Sequence, residues 1–229
     1  LRVGVGSVKI ICTKETIQIL SIKFPSALKI EINNISYLKS FLKKECKTTS
    51  VALVGPGAGN NTKTMKFTEE ILKYIKYVIL DADALNSFKN KTKKLLKYLD
   101  KYRLITPHKA EFHRLFPTIK KSLENKEKVL KFLKLCESNI LLKGNTTLIG
   151  SNKKIIKNSH SSSELAVIGS GDVLAGIIAS LVGDNKMSMI EAAAAGAWLH
   201  GDIAKKNGKG LISEDLIKGI PFVLKRLKR

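Results

Sequence analysis

The sequence predicts an α/β protein with a mostly parallel central sheet flanked by helices on both faces. Three observations carry this. Apolar runs of strand length recur between amphipathic segments. The runs are continuous in Val, Ile and Leu instead of alternating with polar residues, as burial on both faces of a parallel sheet demands. No linker, internal repeat or low-complexity region interrupts the 229 residues, so residues 1–229 are expected to form a single domain.

In chain order, "SVKIIC", "ALKIEI", "VALVGPG", "YVILDADAL", "YRLITPH" and "NILLKG" read as strands. Helical patterns lie between them at Ile35 to Lys44, Thr64 to Ile75, Thr92 to Leu99 and Lys126 to Cys136. After residue 139 the pattern changes, and "KGNTTLIGSN" is expected to form a hairpin with Gly and Asn turns. Three helices finish the chain, at about 171 to 183, 188 to 206 and 213 to 228, with Ser213 as the expected N-cap of the last.

A formal charge of +22 raises nucleic acid as a partner. The lysines, however, are spread over nearly every helix, without an aromatic-interleaved stripe or a reader motif, so they read as solvated faces and no nucleic-acid partner is expected. The apolar runs fall short of the roughly 20 residues that span a bilayer, so no membrane is expected. Cys12, Cys46 and Cys136 are odd in number and lack ligand spacing. That argues against a disulfide framework or zinc site and for a reducing cytoplasm.

Ligands of open α/β sheets bind where strands end and helices begin. Five such segments stand out. "GPGAGNN" (55–61) has glycines that admit a ligand to the backbone, without the spacing of a dinucleotide fingerprint or a P-loop. "DADALN" (81–86) puts Asp81 and Asp83 on one face of an extended segment, suited either to Mg²⁺ held through water or to turns and caps. "TPHKAEF" (106–112) places His108 in a strand-end loop after a Pro suited to a first helical position, where it can serve ligand or structure. "LLKGNTT" (141–147) offers Lys143, Gly144 and two hydroxyls to phosphate oxygens. "GSGD" (169–172) puts free N–H groups at the start of an apolar helix beside Asp172. A helix-stabilising acid would explain Asp172 but not two flanking glycines; a base beside a bound phosphoryl group explains both.

Taken together and in this order, "GPGAG", "DADALN", "TPHKAEF", "LLKGNTT", "GSGDVLAGIIASL" and "AAAAGAWLHG" resemble the ADP/ATP-dependent NAD(P)H-hydrate dehydratases, a branch of the ribokinase-like superfamily. The resemblance implies a ribokinase-like fold and a hydro-lyase that repairs nicotinamide cofactors. (S)-NADHX and (S)-NADPHX would be phosphorylated on the unwanted ring hydroxyl by ADP or ATP and lose phosphate to give NADH and NADPH, with AMP left from ADP. Asp172 is thereby the base or substrate-contacting carboxylate, and Gly57 and His108 match substrate-binding positions. Lys143, Gly144, Asn145, Thr146, Thr147 and Gly171 match nucleotide-binding positions, and no residue is assigned to a metal. Mg²⁺ is the expected cation. An NAD(P)H-hydrate epimerase, separate or fused, and a homo-oligomer are the expected partners. The alternatives are a small-molecule kinase of the same superfamily and a catalytically impaired remnant.

Two departures stand beside the resemblance. Family members read A-T-G-G before the S/T-G-D, where this chain has Val167 and Ile168 in place of Thr and Gly, losing a hydroxyl and a flexible residue beside the nucleotide. "LRVGVGSVKII" resembles the opening of the family's second strand, so a preceding strand-and-helix unit of roughly 30–40 residues is expected to be missing.

Overall fold

The computed structural model describes residues 1–152, 154–184 and 186–227. The main sheet has six strands in the order β3 (Ala52–Val54), β4 (Val78–Leu80), β5 (Arg103–Ile105), β6 (Asn139–Leu142), β7 (Thr147–Gly150) and β8 (Ile155–Asn158). The first four are parallel and the last two antiparallel.

Because the parallel strands are added in one direction, right-handed crossovers bring their connecting helices to one face. These are α3 (Thr62–Tyr74), α4 (Ala82–Asn86), α5 (Thr92–Leu96), α6 (Lys109–Leu115) and α7 (Asn125–Leu133). Alternate strand residues separate two cores accordingly. Val78, Leu80, Ile105, Ile140 and Leu142 pack with Phe88, Phe112, Phe116 and Phe132 on this face. Ile79, Leu104, Leu141 and Ile149 point the other way, against α8 (Ser170–Gly183), α9 (Met189–Asn207) and α10 (Ser213–Leu227). The expected sheet with helices on both faces is therefore present. On the second face Gly196 lets α9 lie against Ile178 of α8, where a methyl group would meet the isoleucine at 2.7 Å.

Several elements depart from expectation. β1 (Lys9–Cys12) and β2 (Leu28–Glu31) pair in parallel as a separate two-stranded sheet, and neither is buried on both faces. Ile11 and Ile30 still lean on the first core. Between the two strands lies α1 (Lys14–Lys23), which buries no side chain and so left no apolar stripe in the sequence. α2 (Ile35–Glu45) then leads to β3.

The segment expected as one hairpin holds a turn, the whole of β7 and a second turn into β8. Ser213 is the first residue of α10 and no N-cap: its hydroxyl donates to the Ile168 carbonyl, while Asp215 accepts from the Ile212 N–H at 3.2 Å. Residue 228 of the expected last helix lies outside the described residues. No helix among the described residues is long and apolar enough to cross a membrane.

Candidate active site

The register of the parallel strands builds the site. Val54, Leu80 and Ile105 are cross-strand partners, so the next residues, Gly55, Asp81 and Thr106, form a row at the carboxyl edge of the sheet. One step further along, His108 bridges Lys143 in parallel, with the Lys143 N–H donating to the Pro107 carbonyl at 2.9 Å. Asp81 and Lys143, 62 residues apart, meet across this edge: the ammonium donates to Asp81 Oδ1 at 2.8 Å, and Asp81 is only 1% exposed.

That contact overturns one expectation. Asp81 and Asp83 do not share the face of an extended segment, because the chain turns at Ala82, held at φ +44°, and becomes helical. Asp81 goes to Lys143, while Asp83 Oδ2 accepts from the Gly59 N–H at 2.8 Å and ties down the loop after β3. Gly55 in that loop cannot be replaced, since at φ +130° any side chain would overlap the Asp81 carbonyl. Gly57 stands at the open lip of the same loop, with nothing within 4 Å of where a side chain would begin.

His108 is the N-cap of α6, so Pro107 falls outside the helix instead of at its first position. Its Nδ1 accepts from the Ala110 and Glu111 N–H groups at 3.1 and 3.4 Å, and Glu111 returns a bond to the His108 N–H at 2.9 Å. This reciprocal box leaves Nε2 facing outward, 3.6 Å from Glu111 Oε1. Partial burial holds the imidazole below its ordinary pKa, with Lys143 and Arg114 acting in the same sense against the carboxylates of Glu111 and Asp81.

The remaining wall is the start of α8. Its N-cap, Gly169, sits at φ +82° and supplies no side chain. The first intrahelical bond runs from the Val173 N–H to the Gly169 carbonyl at 3.1 Å, leaving the Gly171 and Asp172 N–H groups outside the ladder. Gly171 lies against Lys143: a methyl group there would be 3.2 Å from the ammonium. Asp172 is open to solvent, and its carboxyl is raised above the ordinary value by partial burial first. The carboxylates of Asp81, Asp83 and Glu111 push the same way, and Lys143 opposes them. Ser170 is buried, with Oγ 3.2 Å from His200 Nε2. Burial pushes the His200 imidazole down to about 4.

The structure thus brings together Lys143, Gly171, Asp172 and His108, and adds Asp81, Glu111 and His200. Gly144, Asn145 and Thr146 form the β6–β7 turn, exposed or half-exposed, and Thr147 opens β7 with a buried side chain. The turn is anchored to the segment before α8, since the Ser161 hydroxyl donates to the Asn145 carbonyl at 2.5 Å. Val167 and Ile168 precede Gly169, and Ile168 is 98% exposed beside the site. No group of three or more His, Cys, Asp or Glu able to hold a metal occurs among the described residues. Asp81 and Asp83, already bonded within the chain, form no metal cage.

A carboxylate and an ammonium meet at an open helix start on the carboxyl edge of this sheet, and the fold around them is that of a ribokinase-like α/β protein of Enterococcus faecalis (TM-score 0.83, 23% identity, 98% of this chain and 78% of that one). The fold matches a protein of Streptococcus mutans (TM-score 0.83, 24% identity, 100% of this chain and 83% of that one). It also matches an ADP/ATP-dependent NAD(P)H-hydrate dehydratase of Bacillus subtilis co-crystallised with ATP/Mg²⁺ (TM-score 0.74, 22% identity, 98% and 80%). Residues 1–221 match the family model described as NAD(P)H-hydrate dehydratase. The chain belongs to that family. It is 36% identical over 165 residues to the ADP-dependent (S)-NAD(P)H-hydrate dehydratase of Neisseria meningitidis, covering 67% of this chain and 55% of that protein. It is 33% identical over 188 residues to the bifunctional NAD(P)H-hydrate repair enzyme of Moorella thermoacetica, covering 78% and 35%. The chain therefore spans only 35% to 55% of the length of these two relatives.

Proposed function

We propose that this chain dehydrates (S)-NADHX and (S)-NADPHX to NADH and NADPH at the expense of ADP or ATP, with residues 1–229 acting as one domain. The observation that carries the reading is the Lys143 ammonium lying against the start of α8, where the Gly171 and Asp172 N–H groups are free and the Asp172 carboxylate is near enough to feel its charge. A helix start with a cation beside it is an anion site, suited to the transferring phosphate. A carboxylate raised above its ordinary value is a stronger base, and Asp172 accepts the proton of the ring hydroxyl as that oxygen attacks the terminal phosphoryl group. AMP is left from ADP. Departure of phosphate, together with a proton from the neighbouring ring carbon, then restores the double bond.

Gly144, Asn145, Thr146 and Thr147 hold the nucleotide from the β6–β7 turn, and Gly57 and His108 contact the substrate from the facing loops. Mg²⁺ enters on the nucleotide phosphates; among the described residues no group of three or more His, Cys, Asp or Glu is placed to hold it. The name of the Neisseria relative supports ADP, and that of the Bacillus structure either nucleotide. The bifunctional relatives support an NAD(P)H-hydrate epimerase as fused or separate partner, and a homo-oligomer belongs to the same reading. The three free thiols support a reducing cytoplasm.

The test is incubation of the purified chain with NADHX and ADP, and separately ATP, while NADH absorbance is followed. Nucleotide-dependent NADH formation is expected. Its absence with both nucleotides sinks the proposal.

A further inference from the structure

We propose that Asp81 is a positioning residue for the nucleotide site: its buried carboxylate holds the Lys143 ammonium over the first turn of α8. The inference rests on the functional reading above only in taking that turn as the seat of the nucleotide phosphates.

Three features of Asp81 are unaccounted for by folding alone. It occupies the N-cap position of α4, where an aspartate ordinarily accepts from the helix's own N–H groups, yet its side chain makes no capping bond and reaches Lys143 instead. The turn that aims it is strained, since Ala82 is a non-glycine residue at φ +44°. Finally, the carbonyl of Asp81 is packed so closely on Gly55 that only glycine fits there. A buried ion pair is a poor way to gain stability, because desolvation offsets the attraction. A strained, tightly enclosed one needs another reason.

Lys143 supplies it. The lysine ends in a point charge on a flexible stem, so its backbone anchor at Pro107 does not fix where the charge sits. The bond to Asp81 does, and it places the ammonium against Gly171, where a side chain would begin 3.2 Å away. The cation and the helix N–H groups are thereby preset on one side of the space a phosphate would fill, before any nucleotide arrives.

The sign of one measurement separates positioning from simple electrostatics. Removing a carboxylate near an anion site would, by charge alone, tighten nucleotide binding; releasing a positioned lysine would weaken it. We would therefore measure ADP affinity by calorimetry, and NADHX turnover, for the wild type, Asp81→Asn, Lys143→Met and the double variant. Thermal denaturation of each would establish that it is folded. Lys143→Met is expected to weaken ADP by about 10- to 100-fold, the scale of one lost charge-assisted hydrogen bond. Asp81→Asn should weaken it by at least about threefold, and the double variant should match Lys143→Met within about twofold, because Asp81 acts only through the lysine. Unchanged or tighter ADP binding in Asp81→Asn overturns the proposal, as does a double variant whose loss is the product of the two single losses. A wild type that binds ADP without repairing NADHX would remove the functional reading and leave this inference to be decided by affinity. A wild type that binds no ADP overturns both.

Discussion

Helices α8 and α9 both begin with an acid in the first turn, and the two acids are displaced in opposite directions. At α9, Ser188 is the N-cap, its hydroxyl accepting from the Glu191 N–H while the Glu191 carboxylate accepts from the Ser188 N–H at 3.1 Å and its hydroxyl at 2.6 Å. Those bonds, the side-chain one first, hold the Glu191 carboxyl below its ordinary value. At α8 the N-cap is Gly169, no side chain closes the turn, and the Asp172 carboxyl is raised. At α9 a side chain closes the third donor, the Glu191 N–H; at α8 the donor at the same position, the Asp172 N–H, stays free beside a raised carboxyl. An acid that stabilises a helix end and an acid that performs chemistry there can share a sequence position and differ in what surrounds them.

The comparison breaks most sharply on activity. Asp172→Asn is expected to lower NADHX turnover with ADP by about 10²- to 10⁴-fold, the usual worth of a general base. Glu191→Gln should leave turnover near wild type. Equal losses in steady-state assays of the two variants would end the distinction. A second, smaller effect concerns stability beneath the α8 start. The folded pKa of His200 is about 4 against an ordinary 6.5, so below pH 6.5 the unfolded chain takes up a proton that the folded chain refuses. Stability should fall as pH drops from about 6.5 towards 4, by about 3 kcal/mol from this residue. In urea titrations at pH 7 and pH 4.5, His200→Gln should show a correspondingly smaller drop; an undiminished drop would mean that another group controls it.

Much of this site is legible in the sequence because strand ends announce themselves. Gly55, Asp81, His108 and Lys143 each follow an apolar strand run and are residue types that a plain strand-to-helix turn does not require, whereas Gly169 lies beyond the last strand, after a 3-10 turn. What joins them is not legible. Nothing in a spacing of 62 residues says that Asp81 meets Lys143, and the pairing exists only because β4, β5 and β6 lie side by side in register. The reading of Asp81 and Asp83 as one face assumed extended backbone, which the turn at Ala82 removes. Glu111 was within reach, since "HKAE" has the spacing of a capping box, but His is not a usual N-cap and the pattern passes unnoticed. The fold shows the same division. The sheet and its two cores follow from runs of Val, Ile and Leu, whereas α1, without a buried side chain, has no apolar stripe to reveal it. The lysines at positions 9 and 29 were the available sign that β1 and β2 stand apart.

The smallest expected effect has the most decisive sign. A carboxyl raised in the folded state favours folding while protonated and loses that contribution as pH rises through its folded pKa, so ionised Asp172 costs stability at neutral pH. A lowered carboxyl does the reverse, and Glu191 contributes stability above its ordinary value that is lost as pH falls through its folded one. Asp172→Asn should therefore raise the midpoint of thermal unfolding at pH 7 and Glu191→Gln should lower it. Both differences should fade as the buffer is taken down through the carboxylate range. Asp172 is open to water, which screens the interaction and keeps its effect modest. Calorimetric scans at pH 7 and pH 3 measure both variants together. Midpoints that move in the same direction at pH 7 would show that the two helix starts hold their acids alike, and the free donors of α8 would then need a different explanation from the one that leaves them for a ligand.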